Sequence, residues 1–248
     1  MSRRSERSER RLFLADGPKA VEGALAAGCV DEVLVRPGGE HLVPDLPSGV
    51  RRTLVDDRAL AALSDSVTPA GVVAVCRHVD VPLEQALDQG VGSGSARLVA
   101  ICADVRDPGN AGTVVRCADA AGADAVVLAG SSVDLYNPKT LRASVGSVFH
   151  LPVAVEPDPA AAVRAAQAAG LAVLAADGGG EVDLFDADDL LSRPTAWLLG
   201  NEAHGLDDDL AALADHRVSI PIHGRAESLT LATAAALCLY ASARAHRR

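Results

Sequence analysis

Polar side chains stand where predicted apolar strands end, which is where parallel sheets bind ligands. The first such segment runs from Asp104 to Arg116: a strand enters a Pro-Gly turn, and a helix follows. Asn110 is predicted to cap this helix, with Arg116 six residues further on. A capped helix with one solvent-facing arginine explains the same pattern when the segment is taken alone. The turn has no GxGxxG run, which argues against a dinucleotide-binding loop.

A second candidate segment follows the apolar strand that contains Trp197. This strand stops at Gly200, where a glycine lets a ligand approach the backbone. Glu202 comes two residues later, and a carboxylate at a strand end is costly unless it is paired. The segment is therefore a candidate site, with a polar surface loop as the alternative. His204, in the same loop, is interpreted as a surface histidine rather than a ligand.

Two further segments carry candidate residues. Ser228 is predicted to cap a long Ala-rich helix over Leu229–Ala245, which is a sufficient structural reason for it. Lys139, Arg142 and Ser144 share a predicted helix start and form a small cationic site. Phosphate contact and a solvated helix face explain that cluster equally well.

The elements around these segments alternate from residue 97 onward. Strands are predicted at Leu98–Ala103, Ala125–Leu128, Val153–Val155, Ala172–Ala175, Ala196–Leu199 and Val218–Ile220, and helices at Asn110–Ala121, Lys139–Val145, Ala160–Ala169 and Leu229–Ala245. Short apolar strands separated by helices predict an α/β fold with a mostly parallel sheet that helices cover on both faces.

The chain is predicted to contain two domains. Residues 11–78 form a small α/β unit, 79–95 a linker that ends in Gly- and Ser-rich sequence, and 96–248 the larger domain. In the small unit, helices are predicted at Pro18–Ala27 and Asp56–Leu63, and strands at Asp31–Val35 and Gly71–Cys76. Residues 1–10 are predicted to be a basic tail, either solvated and disordered or an arm that contacts RNA.

Composition excludes several classes of protein. The chain is 49% hydrophobic without a run of about 18 apolar residues, so a membrane protein is not expected. The N-terminal arginines precede no apolar signal core, so a cytoplasmic location is expected. Five isolated cysteines without metal-ligand spacing predict reduced thiols and no metal site. A net charge of −10 and only 2% aromatic residues oppose RNA binding by a basic or stacking surface spread over the whole chain.

The first three segments, in this order, resemble the three signature motifs of the SpoU (TrmH-like) branch of the SPOUT-class RNA methyltransferases. The sequence YNPKTLRASVGSVFHLPV resembles the segment between the first two motifs. The resemblance covers Leu98 to the C-terminus, and residues 12–35 are similar to an L30e-like substrate-binding domain. It implies a trefoil-knotted catalytic domain, a homodimer, and methyl transfer from S-adenosylmethionine (AdoMet) to a ribose 2'-hydroxyl of RNA.

The resemblance also assigns site residues by motif position. The catalytic set is Asn110, Arg116, Glu202 and Ser228. The cofactor-binding set is Leu128, Ala129, Ala176, Leu199, Gly200, Ile220, Leu229 and Thr230, and the substrate-binding set is Lys139, Arg142 and Ser144. A guanidinium stays protonated, so Arg116 is expected to bind phosphate and steady the developing alkoxide rather than act as a base. Glu202 would orient Arg116 or the cofactor's amino group.

Two positions depart from the family pattern, and alternatives stay open. Thr230 stands where the family usually has Asn, and Asp16 where the small domain often has Glu. Ribosomal RNA is favoured as substrate because the L30e-like domain is a ribosomal type of RNA binder. A transfer RNA methyltransferase and a catalytically weak RNA-binding homologue are the alternatives. An α/β oxidoreductase is disfavoured by the missing glycine fingerprint.

Overall fold

Two β-sheets organise the chain in the computed structural model, which describes residues 3–43, 45–64, 69–88 and 95–247. The N-terminal elements are α1 (Arg4–Arg10), β1 (Leu12–Asp16), α2 (Pro18–Ala26), β2 (Val30–Val35), β3 (Arg51–Leu54), α3 (Asp57–Leu63), β4 (Val72–Arg77) and α4 (Leu83–Asp88). They are followed by β5 (Leu98–Ala103), α5 (Pro108–Ala121), β6 (Ala125–Ala129), α6 (Pro138–Ser144), β7 (Val153–Glu156), α7 (Pro159–Ala168), β8 (Ala172–Ala176), β9 (Val182–Asp183), α8 (Asp188–Leu191), β10 (Thr195–Leu199), α9 (Asp208–Ala211), β11 (His216–Ser219) and α10 (Leu231–Ala245).

The larger sheet has seven strands in the order β7-β6-β5-β10-β8-β11-β9, and every recorded pairing in it is parallel. Its central strands are buried on both faces: along β5, Leu98 and Ala100 enter one hydrophobic cluster, and Val99 and Ile101 enter another. Helices α5 and α10 pack on the first face, and α4 and α7 on the second. The predicted parallel α/β architecture is therefore confirmed.

The smaller sheet has the order β1-β4-β2-β3, in which only the β2–β3 pair is parallel. The β1 strand was not predicted, although Phe13 at its centre is fully buried. Residues 4–10 form a helix, so the disordered alternative for residues 1–10 was wrong, whereas contact of this segment with RNA stays a prediction. Arg7 in this helix is 4% exposed, and its guanidinium donates to Asp134 Oδ2 at 2.6 Å.

The segment expected to be a linker is largely packed against the larger sheet. Val81 pairs with Ala154 beside β7, and α4 buries Leu83 and Leu87 against β6, β7 and α7. The Gly- and Ser-rich residues 89–94 lie outside the described residues. The chain therefore passes from one sheet to the other near residues 78–81, before that glycine-rich run.

Helix starts differ in detail from the sequence prediction. Asp107 rather than Asn110 caps α5, because Pro108 begins the helix and the Asn110 N–H donates to Asp107 Oδ1 at 2.8 Å. Thr230 rather than Ser228 caps α10, and its hydroxyl oxygen accepts from the Thr233 N–H at 3.4 Å. Both predicted caps were therefore wrong.

Candidate active site

A cavity of about 320 Å³ opens at the carboxyl ends of β8, β10 and β11, beside the start of α10. Its lining includes Ala176, Leu199, Gly200, Ile220 and Leu229, which are five of the residues predicted to bind the cofactor. Ala176, the pair 199–200 and Ile220 are at least 20 residues apart along the chain and meet because β8, β10 and β11 are neighbours in the sheet.

Three members of the predicted cofactor-binding set lie elsewhere. Leu128 and Ala129 are buried in β6, which is separated from β10 by β5, so neither lines the cavity. Their assignment is corrected: they belong to the hydrophobic core. Thr230 caps the helix whose first residue, Leu231, does line the cavity, so Thr230 fixes one wall without lining it.

The loop after β10 folds back on itself to form one wall of the cavity. The Asn201 N–H donates to the Gly205 carbonyl at 2.8 Å, and the Gly205 N–H donates back to Asn201 at 2.9 Å. A Cβ on Gly200 would lie 2.3 Å from the Gly205 carbonyl carbon, so only glycine fits there. The sequence predicted this glycine to permit close approach of a ligand, whereas the structure shows close approach of the chain's own backbone.

Glu202 ties this loop to the turn that precedes α5. Its Oε1 accepts from the Asp107 N–H at 3.1 Å and from the Asn110 side-chain amide at 3.2 Å. Its Oε2 accepts from the Arg106 N–H at 3.2 Å. Two predicted catalytic residues, Asn110 and Glu202, are thus in direct contact.

Ser228 shares the cavity with Glu202 but is exposed in the loop before α10. Arg116 is exposed on α5 and neither lines the cavity nor makes a recorded hydrogen bond within the described part of the chain. Six residues of helix place it about 9 Å along the axis from Asn110 and about 120° around it. The subunit therefore brings together Asn110, Glu202 and Ser228 but leaves Arg116 apart.

The predicted substrate-binding residues also separate. Lys139 is exposed, and its ammonium lies 3.3 Å from Asp107 Oδ2. Arg142 is exposed beside a cavity of about 140 Å³ between α6 and the smaller sheet. Ser144 is fully buried, and its hydroxyl donates to the Leu141 carbonyl at 2.8 Å, so its assignment to substrate binding was wrong.

Asp107 gains a role that the sequence did not indicate. The Asn110 N–H, with a smaller contribution from the Lys139 ammonium, holds the pKa of Asp107 below its ordinary value. Asp107 therefore stays ionised at neutral pH and fixes both the start of α5 and the position of Lys139. Pro108 could have indicated in the sequence that Asp107 caps α5, since proline is favoured at the first helical residue.

Asn201 and Asp104 are further residues that the sequence prediction missed. The Asn201 side-chain amide donates to the Asp104 carbonyl at 2.8 Å, joining the ends of β10 and β5. Asp104 has φ +55°, a left-handed conformation that Asp tolerates better than most residues, and its Oδ1 accepts from the Ser131 N–H. Local sequence carried no signal for these contacts, because they join residues 27 and 97 positions apart.

The charges of the cavity fit a cationic ligand. Asp177, Glu202 and Glu227 line it, whereas its described lining contains no Lys, Arg or His. AdoMet carries a sulfonium, an ammonium and a carboxylate group, so it is a net cation without phosphate; carboxylates attract it and no phosphate-binding loop is needed. The volume also lies within the range of small-molecule sites. The residues present therefore fit the cofactor that the resemblance implies.

Two buried cysteines of this domain are poor nucleophiles. Burial raises the pKa of Cys102, in β5, and of Cys238, in α10, to about 12 in each case, so neither forms a nucleophilic thiolate at neutral pH. No metal-binding group of three or more His, Cys, Asp or Glu occurs among the described residues. Within the same residues, no helix is both long and apolar enough to cross a bilayer.

Two regions of the chain match known protein families. Residues 97–240 match the SpoU rRNA Methylase family, and residues 1–74 match the MRM3-like substrate binding domain. The chain belongs to the SpoU rRNA methylase family. The matched segment contains every residue that lines the cavity.

One relative matches over nearly the whole chain and another over about half of it. It is 36% identical over 241 residues to the Bacillus subtilis 23S rRNA (guanosine(2553)-2'-O)-methyltransferase RlmP, covering 96% of this chain and 90% of that protein. It is 42% identical over 142 residues to a Streptomyces viridochromogenes 23S rRNA (uridine(2479)-2'-O)-methyltransferase, covering 55% and 49%.

Solved structures agree with this assignment. The SpoU methyltransferase AviRb from Streptomyces viridochromogenes, in complex with the cofactor AdoMet, superposes with a TM-score of 0.84 at 30% identity, covering 98% of this chain and 93% of that chain. An AdoMet-bound rRNA methyltransferase from Sinorhizobium meliloti gives 0.83 at 32% identity, covering 98% and 91%.

Proposed function

We propose that this protein transfers a methyl group from AdoMet to a ribose 2'-hydroxyl of ribosomal RNA. The carboxylate-lined cavity, which Glu202 joins to Asn110, is the observation that carries the proposal. The 23S rRNA substrates of the relatives favour ribosomal over transfer RNA. With this substrate, the cytoplasm is the compartment we propose.

The bound cofactor supplies an electrophilic methyl group on a positively charged sulfur. Methyl transfer needs the hydroxyl oxygen, the methyl carbon and the sulfur in line, so positioning contributes a large part of the rate. Asn110 lies beside the cavity with its amide held by Glu202, and we assign it to orient the target nucleotide. We therefore assign Glu202 to orient Asn110, whereas the sequence had suggested Arg116 or the cofactor's amino group.

We propose a homodimer in which Arg116 acts in the site of the other subunit. Arg116 is exposed on α5, which packs against α10. On α10, Leu237 is 37% exposed and Tyr240 is 52% exposed, so an apolar surface lies next to α5. A two-fold contact through these helices would bring Arg116 to the partner's cavity. There its guanidinium would bind a phosphate and steady the developing alkoxide.

The proposal includes two features of the family that stay predictions. The trefoil knot concerns how the C-terminal part of the catalytic domain is threaded, and the L30e-like role concerns RNA contact by the small domain. Thr230, which stands where the family usually has Asn, is compatible with activity. It caps α10, and an Asn at this position would serve the same structural function.

The decisive experiment is a methylation assay with the purified protein, AdoMet labelled in its methyl group, ribosomal RNA and bulk transfer RNA. We expect label in ribosomal RNA, at one nucleotide whose 3' phosphodiester then resists alkaline hydrolysis. Label in transfer RNA would select the alternative substrate. Cofactor binding without transfer to either RNA would indicate the catalytically weak homologue.

Mapping of ribose methylation in total RNA from cells with and without the gene would identify the nucleotide. An Asn110→Ala variant serves as the negative control, because it keeps the cavity lining and removes the amide that Glu202 holds. Base methylation instead of ribose methylation would contradict the proposal.

A further inference from the structure

We propose that Asp177 accepts hydrogen bonds from the 2' and 3' hydroxyls of the cofactor's ribose, and that it makes the cavity selective for ribonucleosides. The inference deepens the proposed function and rests on the use of AdoMet. Asp177 was not among the residues that the motifs indicated.

Asp177 stands at the right place in the sheet. It follows β8 directly and lines the cavity. The parallel register pairs Ala175 with Leu198, so two residues later Asp177 lies level with Gly200 on the neighbouring strand. Adjacent strands are about 5 Å apart, so Asp177 and Gly200 lie side by side at this edge of the sheet. Asp177 and the loop that holds Glu202 both line the cavity, so a nucleoside bound there lies within reach of the Asp177 carboxylate.

The Asp177 carboxylate is held in place before any ligand arrives. Its Oδ1 accepts from the Gly179 N–H at 2.8 Å, and its Oδ2 lies 3.6 Å from the Arg217 guanidinium. Close packing supports this turn, since a Cβ on Gly180 would lie 2.7 Å from the Arg217 carbonyl carbon. Each carboxylate oxygen can accept two hydrogen bonds, so one contact at each leaves acceptor capacity for a ligand. The side chain is 31% exposed and is therefore accessible from the cavity.

The other two carboxylates of the cavity differ from Asp177. Glu202 already accepts three hydrogen bonds from the segment 106–110. Glu227 is exposed in a segment without regular secondary structure, so its position is less fixed. A ribose presents two neighbouring hydroxyl donors, which match the two oxygens of one fixed carboxylate. Strand-end carboxylates bind ribose hydroxyls in the same way in dinucleotide sites of other α/β folds.

The test measures binding of S-adenosylhomocysteine and its 2',3'-dideoxy analogue by calorimetry, without RNA. We expect the wild-type protein to bind the intact compound roughly 10- to 100-fold more tightly than the analogue, as for hydrogen bonds to a charged group. Asp177→Ala should weaken binding of the intact compound by a similar factor and bind both compounds equally. Asp177→Asn, which keeps one acceptor oxygen, should retain part of the discrimination.

Asp189→Ala is the matched control, because Asp189 is an exposed carboxylate near the same sheet edge and does not line this cavity. It should leave both affinities unchanged. Should Asp177→Ala discriminate between the two compounds as strongly as the wild type, the inference is overturned while the proposed function stands. If Asp177→Ala still discriminates but binds both compounds more weakly than the wild type, Asp177 binds the cofactor's amino group instead of its ribose. A wild-type protein that binds neither compound would overturn the proposed function itself.

Discussion

Several side chains near the site stabilise it by hydrogen bonds to backbone groups of other segments. Glu202 accepts from two backbone N–H groups and one amide, so the carboxylate joins two loops that carry motif residues. A glutamine at this position would turn an NH₂ group towards at least one of these donors. The sequence predicted that Glu202 is paired, because a carboxylate at a strand end is costly without a partner. Its partners were not predictable, since they lie more than 90 positions away.

Thr230 offers a test at the residue scale. Its hydroxyl caps α10, so Thr230→Ala should lower the free energy of unfolding by about 1 kcal/mol, whereas Thr230→Asn should leave it nearly unchanged. Urea unfolding followed by circular dichroism measures both. Ser228→Ala is the control: Ser228 is exposed and does not cap the helix, so its loss should change stability by less than about 0.5 kcal/mol. A larger effect at 228 than at 230 would contradict the observed cap.

At the scale of elements, the central strands of the larger sheet were predictable and the junction between the two sheets was not. Apolar runs such as Ala125–Ala129 and Ala196–Leu199 are buried along their whole length, so composition alone marks them as central strands. Helix α4 has six residues, too few for a periodic pattern, and it follows a strand of the small sheet. The linker was predicted from the Gly-rich run. The junction between the sheets is instead fixed by a contact between Asp80 and Tyr136, which are 56 positions apart.

Tyr136 fixes that junction. Its hydroxyl oxygen accepts from the Val79 and Asp80 N–H groups at 2.7 and 2.8 Å and donates to Asp80 Oδ1 at 2.5 Å. Its ring stacks on Phe13 of the small sheet, with centroids 4.6 Å apart. The tyrosine of the YNPK segment, which resembled a family motif, therefore holds the two sheets together.

Removal of this hydroxyl should be costly. Tyr136→Phe leaves two partly buried N–H groups without their acceptor, so we expect a loss of about 2 kcal/mol in the free energy of unfolding. Tyr240→Phe is the matched control, because that hydroxyl is exposed and makes one long bond of 3.4 Å. Urea titrations of both variants measure the difference. Equal stability of the two variants would show that the junction does not depend on this hydroxyl.

His78 makes the same junction sensitive to pH. Its side chain is 6% exposed, its ring stacks on Tyr136 at 3.8 Å, and neither ring nitrogen makes a hydrogen bond within the described residues. Burial lowers the pKa of His78 below its ordinary value of 6.5, and the Arg11 charge lowers it further. The nearby Asp80 carboxylate acts in the opposite direction with a smaller effect.

Because the folded state disfavours protonated His78, the unfolded chain binds more protons as pH falls through 6.5. Stability is therefore retained above this pH and lost below it. We expect the wild type to lose more unfolding free energy between about pH 7 and pH 5.5 than His78→Phe, which keeps the ring stack without a titrating group. Urea titrations at each pH provide the comparison. Parallel pH profiles would exclude His78 as the cause.

For the whole molecule, the negative charge is unevenly distributed. Residues 1–78 contain eleven Lys and Arg against eleven Asp and Glu, whereas residues 79–248 contain twelve against twenty-two. Many of these acids lie between Asp177 and Asp189, at the β9 edge of the larger sheet. Exposed cations lie on the opposite side of the site, at Arg106, Arg116 and Lys139. We therefore predict that an RNA backbone is attracted to the surface along α5 and α6, where the net charge of −10 does not oppose binding.

The separation of Arg116 from Asn110 and Glu202 leads to a test of the whole assembly. If each site combines Arg116 of one subunit with Asn110 of the other, Arg116→Ala and Asn110→Ala subunits should each be inactive as homodimers. A mixed dimer would contain one site with both residues intact and one with neither. Random pairing of equal amounts makes half of the dimers mixed, so the mixture should recover about a quarter of the wild-type rate.

The measurement is methyl transfer to RNA after the two variants are co-expressed with different affinity tags, so that mixed dimers can be purified. Isolated mixed dimers should then reach about half of the wild-type rate, because one of two sites is complete. Arg164→Ala paired with Asn110→Ala is the control, since Arg164 is an exposed arginine on α7 that pairs with Asp158, and its mixed dimer should show the same half rate. No recovery in the Arg116→Ala and Asn110→Ala pair would place both residues in one subunit's site, and an Arg116→Ala homodimer with full activity would remove Arg116 from the mechanism.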